Sequence, residues 1–488
     1  GGGGFFVYHH KDGSSGSLDF REMAPEKAFK DMYLDENGDV IPDMSTLGGA
    51  AVGVPGSISA IYKIHSKFGS LPIEDLFEPA INLAKNGFVV TQKQSNSLTG
   101  KLEDFIKVNG EESLYSKRYY EGDTIKNIKF AETLSKISKF GPEIFYGGEI
   151  GEMIINSVNK AGGIMTLKDL ENYKSIWRDP VKFKYKNLDI ISMSLPSSGG
   201  ILIGQMLKVI EDYDIKSFGH NSVKTVQLLV EAERRAYADR SHFMGDPDYM
   251  DLPVYELIDK EYVVDRMKNF SWDKATSSSD VKHGNIILNE SDETTHYSII
   301  DKEGNAVSNT YTLGLSFGSG VTIPGTGILM NSQMNNFAYR YGDKNEIGRA
   351  ASPGNRFEPG KKPMSTMAPT IVFDKDNKLF LVTGSPGGSD IPAAILRVVT
   401  GVIDFNLDIG EATMLPRIHK DWPYEGLEHE RAVSRDIIRR LKSMGHKTEY
   451  ENTIGSTQSI HISEGVNYGF ADLRRPNAAV SVQTNWSS

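Results

Sequence analysis

The chain has 488 residues, of which 39% are hydrophobic and 24% charged, a composition ordinary for a soluble globular enzyme of one or more domains. Its apolar runs fall short of the roughly 18 residues of a membrane-spanning helix. Its net charge of −10, with scattered basic residues, argues against nucleic acid and anionic membranes as partners, and the absence of cysteine excludes disulfides, a cysteine nucleophile and thiolate metal sites.

The first 270 residues predict a mixture of strands and helices in which helices dominate. The sequence begins with four glycines and no initiator methionine, so we expect residues before Gly1, with any signal peptide, to be missing from it. Strand-like apolar runs follow at residues 5–10 and 181–193. The clearest helix is predicted at residues 222–244, where Asn221 or Ser222 can cap its start and a Gly-Asp-Pro sequence stops it.

The texture of the sequence changes near residue 271. Residues 271–293 are polar and lack periodicity, which predicts an exposed connector. Strands are then predicted at residues 295–300, 306–313, 370–373, 379–383, 459–462 and 467–470. They come as antiparallel hairpins with helices interspersed, which favours an α+β fold of sheets covered by helices, or else separate domains.

Thr294 stands where the polar connector meets the first of these strands. A threonine hydroxyl is a poor nucleophile without a base, but the first residue of a chain can use its own α-amino group, whose reference pKa is about 8. A loop can be cut at such a place while the strand stays anchored. Two threonines at a strand start also fit plain β-propensity, so these residues alone leave both interpretations open.

Residues 384–389 read Gly-Ser-Pro-Gly-Gly-Ser and lie between a predicted strand and a predicted helix at residues 391–402. Two adjacent glycines let backbone N–H groups point outward together, as an oxyanion hole requires, although a tight turn explains the same residues. A rival motif at residues 314–318, Gly-Leu-Ser-Phe-Gly, fits the nucleophile elbow of serine hydrolases. No helical pattern follows it, and the elbow requires a helix there.

The eleven histidines show no metal-ligand spacing, so we expect no metal site. His296 lies near the candidate nucleophile and invites assignment as a base. Because neighbours in a strand point to opposite faces, His296 and Thr295 cannot line one site. We therefore interpret His296 as structural.

Several motifs, taken in order, resemble the γ-glutamyltranspeptidase family over nearly the whole chain. The motifs in the first part are residues 1–5, 18–25, 196–200, 236–241 and 245–247. Those in the second part are residues 294–298, 305–313, 331–334, 363–367, 384–389 and 416–419. So many matches in one order leave little room for coincidence.

This resemblance implies an α+β fold, specifically the four-layer αββα sandwich of the N-terminal nucleophile hydrolases. It implies a precursor that cuts its own Glu293–Thr294 bond into a large subunit, residues 1–293, and a small subunit, residues 294–488, which stay together. The implied reaction is transfer or hydrolysis of γ-glutamyl amides such as glutathione, with water, an amino acid or a peptide as acceptor. No cofactor is expected, and the expected location is outside the cytoplasm.

The resemblance also implies roles for individual residues. Thr294 would be the nucleophile, Thr312 would support it, and Gly387 and Gly388 would form the oxyanion hole. Arg21 would grip the substrate α-carboxylate, a task suited to a planar bidentate donor. The residues that would line the glutamyl pocket are Gln333, Asn336, Ser365 and Thr366.

Three positions depart from the family pattern and bear on the substrate. Asn336 stands where an acid usually pairs with the substrate α-ammonium, and a neutral amide supplies no charge. Gly314 replaces a common Asn, and Thr366 a usual Ser. A pocket that keeps Arg21 without that acid suits a glutaryl group, which lacks the amine, as in the cephalosporin-acylase relatives.

Two alternatives to a γ-glutamyl enzyme therefore stay open: a glutaryl or cephalosporin-type acylase with the same machinery, and an inactive family member that acts as a binding protein. Residues 338–362, which include Tyr339 and Tyr341, are long enough to form a lid over the site. A plain surface loop explains that segment equally well.

Overall fold

A computed structural model describes residues 1–281, 293–338, 352–475 and 477–483. The strands are β1 Gly3–His9, β2 Ser15–Asp19, β3 Phe88–Val89, β4 Thr124–Ile125, β5 Ile176–Arg178, β6 Val181–Tyr185, β7 Leu188–Ser192, β8 Glu293–Ile300, β9 Ala306–Gly314, β10 Thr322–Ile323, β11 Ile328–Leu329, β12 Thr370–Phe373, β13 Leu379–Thr383, β14 Ile418–His419, β15 Gly426–His429, β16 Lys447–Tyr450, β17 Gln458–Ser463 and β18 Val466–Ala471. The helices are α1 Ser57–Phe68, α2 Ile73–Asn86, α3 Gln92–Gly100, α4 Leu102–Asn109, α5 Ile128–Phe140, α6 Glu143–Tyr146, α7 Glu149–Lys160, α8 Leu167–Asn172, α9 Gly199–Ile210, α10 Ile215–Phe218, α11 Val223–Phe243, α12 Val254–Leu257, α13 Lys260–Arg266, α14 Ile391–Ile403, α15 Ile409–Met414 and α16 Arg435–Ser443. Short 3₁₀ helices lie at Gly49–Ala51, Gln333–Asn336 and Pro353–Asn355.

Two antiparallel sheets form the centre of the molecule. The first has the strand order β5-β2-β1-β9-β8, and the second has the order β18-β17-β13-β12-β7-β6. Strands β1 and β9 contact β12, while β8 and β9 contact β13, so the sheets pack face to face. Each sheet combines strands that precede residue 293 with strands that follow it.

The all-apolar run in β1 is explained by burial on both of its faces. Phe5 and Val7 belong to the main core between the sheets, whereas Phe6 and Tyr8 belong to a second cluster that includes Ala60 of α1. Because side chains alternate along a strand, one strand supplies both clusters. Burial on both faces identifies β1 as an inner strand of a covered sheet.

Helices cover the outer faces of both sheets. On the second sheet, α9 and α14 pack against each other, α11 packs on α9, and all three contribute to the main core. Gly200 lets helix α9 approach its sheet closely, since a Cβ at this position would lie 2.4 Å from the Met193 carbonyl oxygen. Helix α1 lies over the first sheet, with the cluster of α5, α6 and α7 beside it. The layers are therefore αββα, and the predicted α+β sandwich is confirmed. No helix in the described ranges is long and apolar enough to cross a bilayer.

Most predicted elements appear within a residue or two of their expected ends, but the run at residues 181–193 does not form one strand. It folds as the hairpin β6–β7, which turns at Lys186, a residue with φ 53°. The predicted long helix is α11, and Ser222 caps it by accepting a hydrogen bond from the Thr225 N–H at 3.2 Å. The parallel pairing of β15 with β16 was not predicted.

In its described part, residues 271–281, the predicted connector is mostly exposed or half-buried, but two of its residues are buried. Ser278 and Val281 are buried, and the Trp422 indole N–H donates to the Ser278 carbonyl at 2.9 Å. Residues 282–292 lie outside the described residues, as do Tyr339 and Tyr341 of the suggested lid. The remainder of that second segment is not a surface loop, because Ser352, Asn355 and Lys362 are buried among the described residues.

Candidate active site

Thr294 begins the regular pairing of β8, directly opposite Thr312 of β9, and a register shift separates it from Glu293. Its side chain is only 6% exposed and faces inward. The Thr294 hydroxyl donates to the Gly387 carbonyl oxygen at 3.1 Å, and the Thr294 carbonyl accepts from Arg475 Nη1 at 2.9 Å. The strand thus holds this hydroxyl against the predicted oxyanion loop, residues 384–389.

The oxyanion loop connects β13 to α14 and is held at each of its two central glycines. Gly387 has φ 144°, and a Cβ there would lie 2.3 Å from Asp390 Oδ1. The Gly388 N–H donates to the same Asp390 oxygen at 2.8 Å, while the Gly388 carbonyl accepts from Thr366 Oγ1 at 2.6 Å. The role of Gly387 and Gly388 as oxyanion donors stays a prediction. For Gly388, the role requires its N–H either to leave Asp390 and donate to the oxyanion or to donate to both.

Thr312 faces the same side of the sheet as Thr294, because directly paired residues of antiparallel strands share a face. Its hydroxyl accepts from the Gly314 N–H at 2.9 Å, at the end of β9. Gly314 has φ 94°, and a Cβ there would lie 2.5 Å from Ser332 Oγ and 3.3 Å from Gln333 Nε2. Gly314 is therefore closely packed, and a side chain there would require Ser332 to move. The support of Thr294 by Thr312 stays a prediction.

His296 is buried on the same inward face as Thr294, two residues away, whereas Thr295 is exposed on the other face. The hydrogen bonds of His296 indicate its role. His296 Nδ1 pairs with Thr310 Oγ1 at 2.8 Å and Nε2 with Ser298 Oγ at 3.1 Å, and burial lowers the pKa of the ring to about 3. Both ring nitrogens are engaged away from Thr294, which fits a structural role.

Arg21 follows β2 and is almost completely buried. Its Nε donates to the Pro363 carbonyl at 3.1 Å and its Nη2 to the Met364 carbonyl at 3.0 Å. The same segment is fixed to the strand end, because Lys362 Nζ lies 2.8 Å from the Asp19 carboxylate and the Arg21 N–H donates to Asp19 at 2.9 Å. The guanidinium is therefore held in one orientation before any ligand binds.

The 3₁₀ helix Gln333–Asn336 carries the polar side chains that most clearly indicate a ligand-binding surface. Both polar side-chain atoms of Gln333 and Oδ1 of Asn336 are buried without a hydrogen-bond partner among the described residues. A buried polar group left unpaired costs about 1–3 kcal/mol, so these atoms indicate a surface that a polar ligand satisfies. Asn355 links this helix to the arginine segment: it donates to the Asn336 carbonyl at 2.6 Å and accepts from the Met364 N–H at 2.7 Å.

Ser365 and Thr366 continue the segment that holds Arg21. Ser365 Oγ accepts from the Met367 N–H at 3.1 Å, and its carbonyl accepts the N–H and the hydroxyl of Ser198, both at 2.7 Å. Through Thr366 the same segment reaches the oxyanion loop at Gly388. The predicted residues thus form one connected set, from Arg21 through the segment at residues 363–366 to the loop and Thr294.

Sequence reasoning missed three residues in contact with this set. Glu22 is fully buried with its Oε2 against Gly3, and burial, opposed by the charge of Arg21, raises its pKa to about 7. Two adjacent charged residues after an apolar strand were the available signal. Arg475 gave no signal, because its contact joins distant segments, whereas Asp390 was missed although it accepts from the Gly388 N–H only two residues away. Among the described residues, no three His, Asp or Glu side chains are placed to hold a metal ion.

Comparison with known proteins identifies the family. The sequence profile described as gamma-glutamyltranspeptidase matches residues 1–482. The chain belongs to this family. It is 39% identical over 487 residues to the glutathione hydrolase proenzyme of Escherichia coli K12, a match that covers 97% of this chain and 82% of that protein. The predicted family resemblance is therefore confirmed.

A second similar protein bears a different name. The chain is 34% identical over 456 residues to the acylase ACY 1 proenzyme of Pseudomonas sp. strain SE83, covering 91% of this chain and 78% of that protein. The crystal structure of cephalosporin acylase from Bacillus halodurans superposes with a TM-score of 0.82 at 22% identity, over 100% of this chain and 88% of the other. At that identity the superposition supports the shared fold alone.

Proposed function

We propose that the chain is the precursor of a γ-glutamyl transferase and hydrolase, which is cut before Thr294 and then uses that threonine to form an acyl-enzyme. The observation that carries the proposal is the buried Thr294 hydroxyl, held 3.1 Å from the Gly387 carbonyl at the start of a strand. Two similar proteins are named proenzymes, which supports maturation by cleavage.

Maturation needs an attack by Thr294 on its own preceding bond. The hydroxyl oxygen adds to the Glu293 carbonyl carbon, the C–N bond to Thr294 breaks, and the nitrogen takes the proton to become a free α-amine. Water then hydrolyses the ester and leaves a carboxylate on Glu293. The Arg475 contact to the Thr294 carbonyl, at 2.9 Å, supports this step because it fixes the backbone on the nucleophile side of the bond.

Turnover repeats the same chemistry on a substrate amide. Thr294 Oγ bonds to the amide carbonyl carbon while the new α-amine takes the hydroxyl proton and passes it to the leaving amine. Gly387 and Gly388 N–H groups would stabilise the oxyanion. Water, an amino acid or a peptide then takes the acyl group and restores the threonine.

The substrate is a γ-glutamyl amide, such as glutathione, in the proposal that family membership supports best. Arg21 would bind the α-carboxylate, since its buried guanidinium is already oriented by the Pro363 and Met364 carbonyls. Gln333 and Asn336 would bind the α-amino group through their unpaired side-chain oxygens. These oxygens accept hydrogen bonds from an ammonium without pairing its charge.

A glutaryl or cephalosporin-type acylase is the second candidate, and a specific observation favours it. Asn336 is neutral and Gly314 has no side chain, so the described pocket wall offers less to an ammonium group than the family pattern does. Glutaryl amides carry the carboxylate that Arg21 would bind and no amine. The same threonine chemistry would serve both substrates.

Two measurements test the proposal. A denaturing gel of purified protein should show fragments of residues 1–293 and 294–488 that copurify under native conditions, and the N-terminal sequence of the smaller fragment should begin Thr-Thr-His. Turnover of γ-glutamyl and glutaryl p-nitroanilides should then favour the γ-glutamyl compound. Preference for the glutaryl compound would make the enzyme an acylase, whereas an uncut, folded chain without turnover would support the inactive binding protein.

Association of the two subunits follows from this proposal, since both sheets contain strands from each piece. The expected location outside the cytoplasm stays a prediction that fractionation of the native host would test.

A further inference from the structure

A chain of buried side chains leads away from the oxyanion loop at Ser389. Ser389 Oγ lies 3.2 Å from His419 Nε2, and His419 Nδ1 lies 2.6 Å from Glu233 Oε1. Ser389, His419 and Glu233 are each at most 5% exposed. The second Glu233 oxygen accepts from the Lys420 N–H at 3.1 Å, so the carboxylate is held at both ends.

This arrangement has the order of a serine-hydrolase triad, but its charges are wrong for one. Burial alone would lower the pKa of His419; the Glu233 carboxylate, together with Glu428 and Asp421, outweighs that effect and raises the pKa to about 9. An imidazolium at neutral pH cannot take a proton from Ser389. Both ring nitrogens donate instead, Nδ1–H to Glu233 and Nε2–H to Ser389 Oγ.

The position of Ser389 in the oxyanion loop connects it to both central glycines. It follows Gly387, whose carbonyl accepts the Thr294 hydroxyl, and Gly388, whose carbonyl accepts from Thr366. The Ser389 carbonyl also accepts a hydrogen bond from the Tyr237 hydroxyl. A displacement of Ser389 would therefore move the two glycines that are expected to hold the oxyanion.

We propose that Glu233, His419 and Ser389 form a positioning chain that fixes the oxyanion loop against Thr294, with His419 as the donor to Ser389. The proposal rests on the proposed function, because the loop's role is to stabilise the transition state of that reaction. None of the three residues touches the substrate. They act through Gly387 and Gly388, so their loss should lower kcat and leave KM nearly unchanged.

The groups around the chain define what a pH experiment reports. Helix α11 contributes Glu233 and Tyr237, β15 contributes Glu428, and the segment after β14 contributes Lys420 and Asp421. Arg397 of α14 faces Glu233 and is buried. Because the carboxylates hold the proton on His419, removing the Glu233 charge should lower the pKa of His419 and let the ring lose its proton at lower pH.

The first test is the variant Ser389→Ala, with His446→Gln as its matched control. His446 is also buried and also hydrogen-bonded to α11, through Gln227 at 2.6 Å, but that contact leads away from the loop. For Ser389→Ala we expect kcat for the preferred anilide to fall about 10-fold with KM changed less than about 2-fold. The control should keep kcat. Equal kcat in Ser389→Ala and wild type would overturn the proposal.

The second test is the pH dependence of Glu233→Gln. In wild type, the rate should fall as pH rises through about 9, as His419 loses the proton that it donates to Ser389. In Glu233→Gln that fall should occur at least about one pH unit lower. A role in packing alone would reduce the rate without moving the pH limb, and an unmoved limb would therefore contradict the charged chain.

A measurement independent of turnover separates failure of this proposal from failure of the proposed function. Histidine-selective ¹⁵N NMR, with His419→Gln for assignment, should show an imidazolium with a pKa near 9. A neutral His419 at pH 7 would overturn the donor role even in an inactive protein. If Glu233→Gln does not fold, as judged by its melting curve, the Ser389→Ala kinetics and the NMR titration decide.

Discussion

The two halves of the candidate site differ in how completely the protein satisfies its own polar groups. Around Thr294, the hydroxyl, the Gly387 and Gly388 carbonyls and the Gly388 N–H all have partners within the protein. Around the 3₁₀ helix that carries Gln333 and Asn336, three buried polar atoms have none among the described residues. The first half is held together by hydrogen bonds within the protein, and the second presents polar atoms with which a ligand can pair.

This difference follows from what each half must do. A nucleophile and an oxyanion loop need fixed geometry, and hydrogen bonds within the protein supply it. A specificity pocket gains by leaving groups unpaired, because only the matching ligand then recovers their hydrogen-bond energy. Changes in the first half should therefore act on kcat and on maturation, and changes in the second on KM and on substrate preference.

The largest expected effect is that of Thr294→Ala, which removes the proposed nucleophile. We expect no cleavage on a denaturing gel and a loss of turnover of about 10³-fold or more. Thr295→Ala is the matched control, because Thr295 is exposed on the opposite face of the same strand. Cleavage in Thr294→Ala, or its loss in the control, would place the nucleophile elsewhere.

Arg21→Lys tests whether the pocket half acts through binding. A lysine ammonium cannot donate to two carbonyls and also grip a carboxylate in a planar fork, so KM should rise by about 100-fold with a smaller change in kcat. Arg439→Lys, at an exposed position on α16, should change neither constant. A fall in kcat at unchanged KM would contradict the assignment of binding to the pocket half and of catalysis to the Thr294 half.

Asn336→Asp should increase the preference for the γ-glutamyl substrate over the glutaryl substrate. An ionised carboxylate at this buried position would add a charge-assisted hydrogen bond to an α-ammonium, raising kcat/KM for the γ-glutamyl anilide about 10-fold relative to the glutaryl anilide. The assay belongs at pH 8, because burial raises the pKa of a carboxyl group. Asn452→Asp, at an exposed position, controls for net charge. An unchanged ratio would mean that the ammonium does not bind near Asn336.

The smallest effect concerns stability and the buried His296. Its folded pKa of about 3 lies below the unfolded value of 6.5, so the unfolded state binds the extra proton and stability falls as pH drops below 6.5. Between pH 7.5 and 5.5 the free energy of unfolding should fall by about 1 kcal/mol more in wild type than in His296→Gln, measured by urea denaturation. Equal pH dependence would show that His296 titrates in the fold as it does in the unfolded chain.

Local signals predicted the hairpins and helices well. Strand β8, strand β9 and helix α11 could be located because alternation, turn residues and a capping serine are encoded over a few neighbouring positions. The split of residues 181–193 was missed although its turn, Lys186-Asn187, contains Asn, a common turn residue; the φ of 53° falls on Lys186, which carries no such signal. Pairing of β15 with β16 joins distant segments, which periodicity does not reveal.

The candidate site shows the same limit. Arg21, Gln333 and Gly388 could be named because they lie in ordered motifs that resemble a family. Arg475, 181 residues from Thr294, could not, and neither could the contact between Asp390 and the Gly455 N–H, 65 residues away. Such contacts form only when distant segments pack together in the complete fold, so no local sequence pattern predicts them.

Cleavage changes the kind of folding problem that this molecule presents. Each central sheet contains strands from both sides of Thr294, so neither piece has a complete sheet by itself. An uncut chain can reach the native state at a rate independent of protein concentration. A cut chain recovering from denaturant must first bring two incomplete pieces together, and its refolding becomes second order and open to aggregation. If the chain is cut before Thr294 as proposed, that bond links the two pieces only until folding is complete, and the mature protein can no longer refold as a single chain.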